Sequence, residues 1–182
     1  MSLRDSVIAA LTDWAATDPG SDALRQAMLG FALARPDACE RACVPGHFTA
    51  STAVLDAGAR HVLLTLHPRL GRWVQLGGHC EPQDGDIVAA ALREATEESG
   101  ITGLQLTTAP VSLHVHALTC SLGVPTRHFD MQFAALAPTD AVITVSDESL
   151  DLRWWPVDAL PPDADDALRS LVGRAAAQIS LE

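Results

Sequence analysis

Apolar positions along the chain change their period once. Up to about residue 34 they recur at helical spacing, with Val7, Ile8, Leu11 and Trp14 in one segment and Leu24, Met28, Phe31 and Leu33 in the next. The spacing predicts helices over Ser2 to Trp14 and Asp22 to Leu33. Asp18-Pro19-Gly20-Ser21 between them is turn chemistry, with Ser21 as the expected N-cap. Pro36 and the Pro45-Gly46 step close this helical hairpin.

From His47 the pattern turns to strands. FTASTAVLD and HVLLTL flank Asp56-Ala57-Gly58-Ala59, which reads as a hairpin turn. Trp73 to Leu76 reads as a short strand entering the loop that Gly77-Gly78 opens, and Asp86 to Ser99 as a helix. Val111 to Thr119, Arg127 to Leu136 and Leu150 to Trp155 read as further strands, and Asp163 to Ile179 as a closing helix behind Pro161-Pro162. Hairpins in place of regular strand-helix-strand crossovers argue for an α+β fold with a mixed sheet. The expected division is an N-terminal helical extension, 1–45, and a main domain, 46–182.

Composition narrows the function. Of 182 residues 48% are hydrophobic and 19% charged, a balance that folds. The net charge of −11 repels a nucleic-acid backbone, which argues against duplex DNA or RNA as partner. No segment approaches the roughly 18 to 20 apolar residues of a membrane span. Asp5 and Asp13 interrupt the first apolar run, so no signal peptide is read and a cytoplasmic location is expected. Cys39, Cys43, Cys80 and Cys120 are too sparse for a disulfide framework. They read as reduced thiols, Cys39 and Cys43 as two partly buried ones; the other reading, a metal-ligating pair one turn apart on a helix, lacks a second Cys/His pair at finger-like spacing.

The acidic helix stands out. In REATEESGI (Arg93 to Ile101), Glu94 and Glu98 are one helical turn apart and Glu97 lies between them, so three carboxylates share one edge. Ala89, Ala90, Ala91, Leu92 and Ala95 supply the apolar side that fixes the helix. Gly100 ends it in the left-handed conformation, and Gly77-Gly78 permit close backbone approach before it. Hard oxygen ligands in this number suit Mg²⁺ or Mn²⁺ coupled to substrate phosphates.

These residues resemble the box of the Nudix hydrolase family, G-x5-E-x7-R-E-U-x-E-E-x-G-U, where U is aliphatic. The spacing from Gly78 to Arg93 is one residue longer than the pattern. Its outlying glutamate is missing, with Asp84 or Asp86 as stand-ins. The resemblance implies a Nudix-type α/β/α sandwich and hydrolysis of a nucleoside diphosphate linked to a group X. It implies Glu94, Glu97 and Glu98 as metal ligands, the Gly77 carbonyl as a further one, and Arg93 as the residue that orients the carboxylates through a bidentate pair. Glu97 and Glu148 are the candidates for the base that activates water. Two other readings share the fold. One is a nucleotide-binding regulatory module without catalysis; the other is an isoprenoid-diphosphate isomerase, which needs a reactive cysteine that only Cys80 could supply.

A second polar cluster lies in LHVHALTCSLGVPTRHFDMQF. His114 and His116 alternate on one strand, His128 and Asp130 on the next. With the turn centred near Leu122, His114 faces Asp130 and His116 faces His128, giving one polar face that reads as a substrate wall or a second metal site. His47 and His79 flank predicted loops and are expected near the same cleft. The chain has no tyrosine, so the residue that marks diadenosine-polyphosphate-cleaving relatives is absent. The proline-rich signature of NADH-cleaving relatives is missing after Ile101. A nucleoside triphosphate, a sugar nucleotide or another small diphosphate remains. The N-terminal hairpin is expected to pack on the main domain or to form a homodimer through Trp14 and Phe31.

Overall fold

The computed structural model describes residues 1–119 and 123–180. Helices α1 (Leu3–Asp13) and α2 (Pro19–Ala34) open the chain. Ser2 and Asp5 form a capping box on α1. On α2 the cap is Asp18 and not Ser21: its carboxylate accepts from Ser21 N at 2.9 Å, and Pro19 starts the helix.

Among the described residues eight strands follow: β1 (His47–Leu55), β2 (His61–His67), β3 (Arg72–Val74), β4 (Leu76–His79), β5 (Gln105–Leu106), β6 (Ser112–Thr119), β7 (Pro125–Leu136) and β8 (Leu152–Pro156). They make one mixed sheet. β1 and β7 run parallel, from His47 opposite His128 to Leu55 opposite Leu136, and the other pairings are antiparallel. β1 is forked along its other edge. β4 pairs with Thr49 to Thr52, and β2 with Val54 and Leu55. The glycine pair therefore lies inside a strand, not in the loop expected of it, and β5 is too short for any apolar pattern to announce.

Alternation along β1 sorts the core. Phe48 and Ala50, with Met131 and Phe133 of β7, pack against helix α3 (Ile87–Ser99) and against Val7, Leu11, Met28 and Ala32 of the N-terminal pair. Ala53, Leu55 and Ala134 face Leu168, Leu171, Val172 and Ala175 of helix α4 (Asp166–Ile179) on the opposite side. The layers are helix, sheet, helix, as expected of an α+β sandwich. Asp165 caps α4, so this helix starts later than the Pro161-Pro162-Asp163 step suggests.

The N-terminal hairpin shares this core. Val7, Leu11, Met28 and Ala32 are fully buried, Phe31 stacks on Phe129 with ring centroids 4.4 Å apart, and Trp14 Nε1 donates to Pro110 O at 2.6 Å. Trp14 and Phe31 are thus engaged within the chain. Residues 36–46 form successive turns, so Cys39 and Cys43 do not sit one turn apart on a helix as the metal-pair reading needs. No helix among the described residues is long and apolar enough to cross a membrane.

Candidate active site

Helix α3 begins at its cap, Asp86, which accepts from Ala89 N at 2.7 Å, and ends at Gly100 with φ 71°. Ile87, Ala90, Ala91 and Ala95 are buried against the sheet. Leu92 is 39% exposed and does not belong to that apolar side. With its orientation fixed by packing, α3 presents Glu94 and Glu98 toward β4, with the more exposed Glu97 held beside them by Arg93.

β4 comes close because it has no side chains at Gly77 and Gly78. A Cβ at Gly77, where φ is 148°, would meet Ser51 Cα at 2.5 Å. One at Gly78 would meet the Glu94 carboxylate at 2.6 Å. Gly77 N donates to Glu98 Oε2 at 2.8 Å. Gly78→Ala is expected to displace the Glu94 carboxylate while leaving the hydrophobic core intact. The checks are loss of divalent-cation affinity by calorimetry together with an unchanged far-ultraviolet spectrum.

Arg93 holds this edge together. Its Nε and Nη2 donate to the two oxygens of Asp84 at 2.9 and 3.0 Å, its Nη1 to Glu94 and Glu97 at 3.0 Å each, and its Nη2 also to His79 O at 2.9 Å. The bidentate pair is therefore with Asp84, and each glutamate receives a single bond. This resolves the two stand-ins: Asp84 partners the arginine, and Asp86 caps the helix. The guanidinium holds the Asp84 carboxyl below its ordinary range despite burial.

The glutamates sit in different surroundings. Glu98 is 9% exposed, and burial, with the nearby charges of Glu94, Glu148 and Glu97, pushes its carboxyl up to about 7. Glu94 is also raised, by burial first, although Arg93 opposes the shift. The Glu97 side chain is 60% exposed. Glu148 is exposed on the segment between β7 and β8, close enough for its charge to act on Glu94 and Glu98. That segment is pinned by Thr144 N to Ser99 O at 2.7 Å and by Thr65 Oγ1 to Ser149 Oγ at 2.6 Å.

A model of the NUDIX domain matches residues 46–174. The chain belongs to the Nudix family. No curated protein matches it. Among solved structures, this Nudix chain is similar to a NUDIX-family hydrolase from Clostridium perfringens, with 23% identity, TM-score 0.56, and 75% of this chain and 98% of that one covered. It is also similar to an Ap4A hydrolase from C. elegans, at 22% identity and TM-score 0.52, covering 74% and 98%. A third likeness is to the E. coli dihydroneopterin triphosphate pyrophosphohydrolase, at 19% identity and TM-score 0.55, covering 72% and 95%. At these identities the likeness is one of fold.

The Nudix sheet also carries the histidine cluster, on the face opposite α3. His114 pairs with Asp130 and His116 with His128, the register that alternation predicts; the centre of the connecting turn, 120–122, lies outside the described residues. The four are not equivalent. Asp130 is buried and accepts from Thr49 Oγ1 at 2.9 Å, Ser51 Oγ at 2.6 Å and Gln132 Nε2 at 3.0 Å, so its oxygens are engaged within the sheet. Burial lowers His128 to about 3, and it lowers His116 as well. His114 lines a cleft with Ser112, Gln132, Ser170 and Arg174, between the sheet and α4. His47 and His79 lie against His128, with centroids 4.9 and 5.0 Å from it. Alternation brought His114, His116 and His128 to one face; the approach of His47 and His79 depends on the β1–β7 and β1–β4 registers, which no local pattern encodes.

Proposed function

We propose that this Nudix protein hydrolyses a diphosphate linkage in a small nucleotide-like substrate, with Mg²⁺ or Mn²⁺ held by Glu94, Glu97, Glu98 and the Gly77 carbonyl. The observation that carries the reading is electrostatic. Two largely buried carboxylates and a third beside them face one guanidinium already committed to Asp84, so the cluster is short of positive charge. Oxygen donors in that number fit a hard divalent cation. When bound, such an ion lowers the pKa of water and offsets phosphate charge.

The protein's own residues divide the remaining work. Arg93 fixes the rotamers of Glu94 and Glu97, and the Gly77 N–H fixes that of Glu98. Glu97 is held by Arg93 at 3.0 Å and is assigned to the metal. Glu148 makes no ion pair among the described residues and is assigned as the group that takes the proton from the attacking water. Glu148→Gln is expected to lower kcat by about two orders of magnitude with KM and metal affinity unchanged, whereas Glu97→Gln weakens metal binding. Equal kcat in Glu148→Gln and the parent contradicts the assignment.

Substrate contact is assigned to His114 and His116, with His128 and Asp130 behind them supporting the wall. His114→Ala is expected to raise KM several-fold with little change in kcat, measured by initial rates over substrate concentration. Absence of tyrosine supports a nucleoside triphosphate or sugar nucleotide over a dinucleoside polyphosphate. Cys80 is buried and its thiol is pushed far up by burial, which supports hydrolysis over chemistry needing a thiolate.

A further inference from the structure

His47 begins β1, His79 ends β4 and His128 lies in β7, three strands that the sheet places side by side. Their ring centroids form a nearly equilateral triangle, 4.9, 5.0 and 5.1 Å on a side, and one ligand nitrogen from each lies within 4.8 Å of the other two. We infer that His47, His79 and His128 form a tri-histidine site for a late first-row divalent cation of the Zn²⁺ class, separate from the carboxylate cluster.

Unpartnered nitrogens at the centre are the second observation. His47 is 1% exposed and its Nδ1 is 3.4 Å from Cys43 O, to which it donates, so Nε2 carries the lone pair. That Nε2 is buried with no hydrogen-bond partner, and so is Nε2 of His128. Buried polar nitrogens without partners are rare in folded proteins, and here two of them, from separate strands, converge on one point. A carbonyl holding the far nitrogen of an imidazole is the arrangement that orients a metal ligand.

Donor chemistry sets the ion. Imidazoles suit Zn²⁺, Co²⁺, Ni²⁺ and Cu²⁺, whereas Mg²⁺ demands oxygen. Nitrogens about 2.0–2.1 Å from a tetrahedral ion are about 3.3 Å apart, so closure takes small ring rotations and no movement of strands. Three protein ligands leave one coordination position, and His116 lies next along the sheet with its centroid 5.1 Å from His128. The exposed Arg41 is the cation whose charge acts on all three rings, and Asp130 lies one pleat beyond His128. The site is tied to α3 through β4, since His79 O accepts from Arg93 and Gly77 N donates to Glu98.

The test uses the full chain, stripped of metal with a chelator and titrated with Co²⁺ in excess Mg²⁺. The expected result is one Co²⁺ per chain with the strong visible absorption of a four-coordinate nitrogen site, displaced stoichiometrically by Zn²⁺. His79→Ala and His128→Ala are each expected to weaken binding about tenfold or more, whereas Glu98→Gln and His114→Ala leave it unchanged. A wild-type protein showing only the weak absorption of six-coordinate Co²⁺ overturns the inference, whether or not the variants fold. So does a strong band that survives His79→Ala and disappears in Glu98→Gln. Neither readout uses hydrolysis, so failure here leaves the proposed activity standing, and the reverse also holds.

Discussion

Replacing Glu98 by glutamine is expected to abolish divalent-cation-dependent turnover and, at the same time, to stabilise the metal-free protein above pH 7. The two effects share a cause. Glu98 is held between the Gly77 N–H and the charges of Glu94, Glu97 and Glu148, and burial pushes its carboxyl from 4.5 to about 7. A carboxyl raised in the folded state binds its proton more tightly there than in the unfolded chain. Its contribution to stability is therefore fully present below about pH 4.5 and is lost as pH rises through about 7. The full loss is on the order of 3 kcal/mol from the size of the shift. Glutamine is neutral at every pH and keeps an oxygen to accept from Gly77, so the variant loses this contribution alone, and its stability relative to the parent should rise between pH 5 and pH 8 while Glu94 and the buried histidines titrate in both. Urea titrations of metal-free parent and variant at pH 5 and pH 8 check it. A variant as pH-dependent as the parent contradicts the electrostatic account of the helix.

Removing residues 1–45 is expected to leave no folded, soluble protein, although the matched domain begins at residue 46. Val7, Leu11, Met28 and Ala32 are fully buried in the same cluster as Phe48, Ala50, Met131 and Phe133. Each large apolar side chain contributes roughly 1.5–3 kcal/mol by burial, and the net stability of a domain is only about 5–15 kcal/mol. Ile87 N would also lose its acceptor, Ser6 Oγ, at the buried start of α3. The truncated chain should show no cooperative thermal transition. A cooperative transition close to the parent's would mean that the hairpin is an appendage rather than part of the core.

How much of this was legible beforehand depends on the range of the interaction. Period alone gave both N-terminal helices and most strands, because each buries one face and the face repeats. Helix α2 starts earlier than its apolar residues suggest because two caps compete in Asp18-Pro19-Gly20-Ser21, and Asp18 bonds to Ser21 N. Gly77-Gly78 reads as a loop because glycine is poor in strands; it is a strand because only glycine fits between Ser51 and Glu94. The REATEESGI box places the carboxylates correctly on one edge, but spacing cannot choose between Asp84 and Asp86, since both lie within one residue of the expected glutamate. Side-chain geometry chooses, through the bidentate pair. The pairing of His114 with Asp130 was readable because it needs only one turn and strict alternation. The triangle of His47, His79 and His128 was not, because it needs three strands to arrive in register.

The central claim is that the α3 carboxylates serve divalent-cation-dependent hydrolysis of a diphosphate. Its most direct test is release of phosphate or pyrophosphate from a panel of nucleoside triphosphates and sugar nucleotides, with parent and Glu98→Gln side by side. At least one substrate should be cleaved by the parent in Mg²⁺ or Mn²⁺, cleavage should stop in excess chelator, and Glu98→Gln should be inactive throughout. Cleavage that persists at the parent rate in Glu98→Gln, or a parent that binds nucleotides tightly and cleaves none, would contradict it.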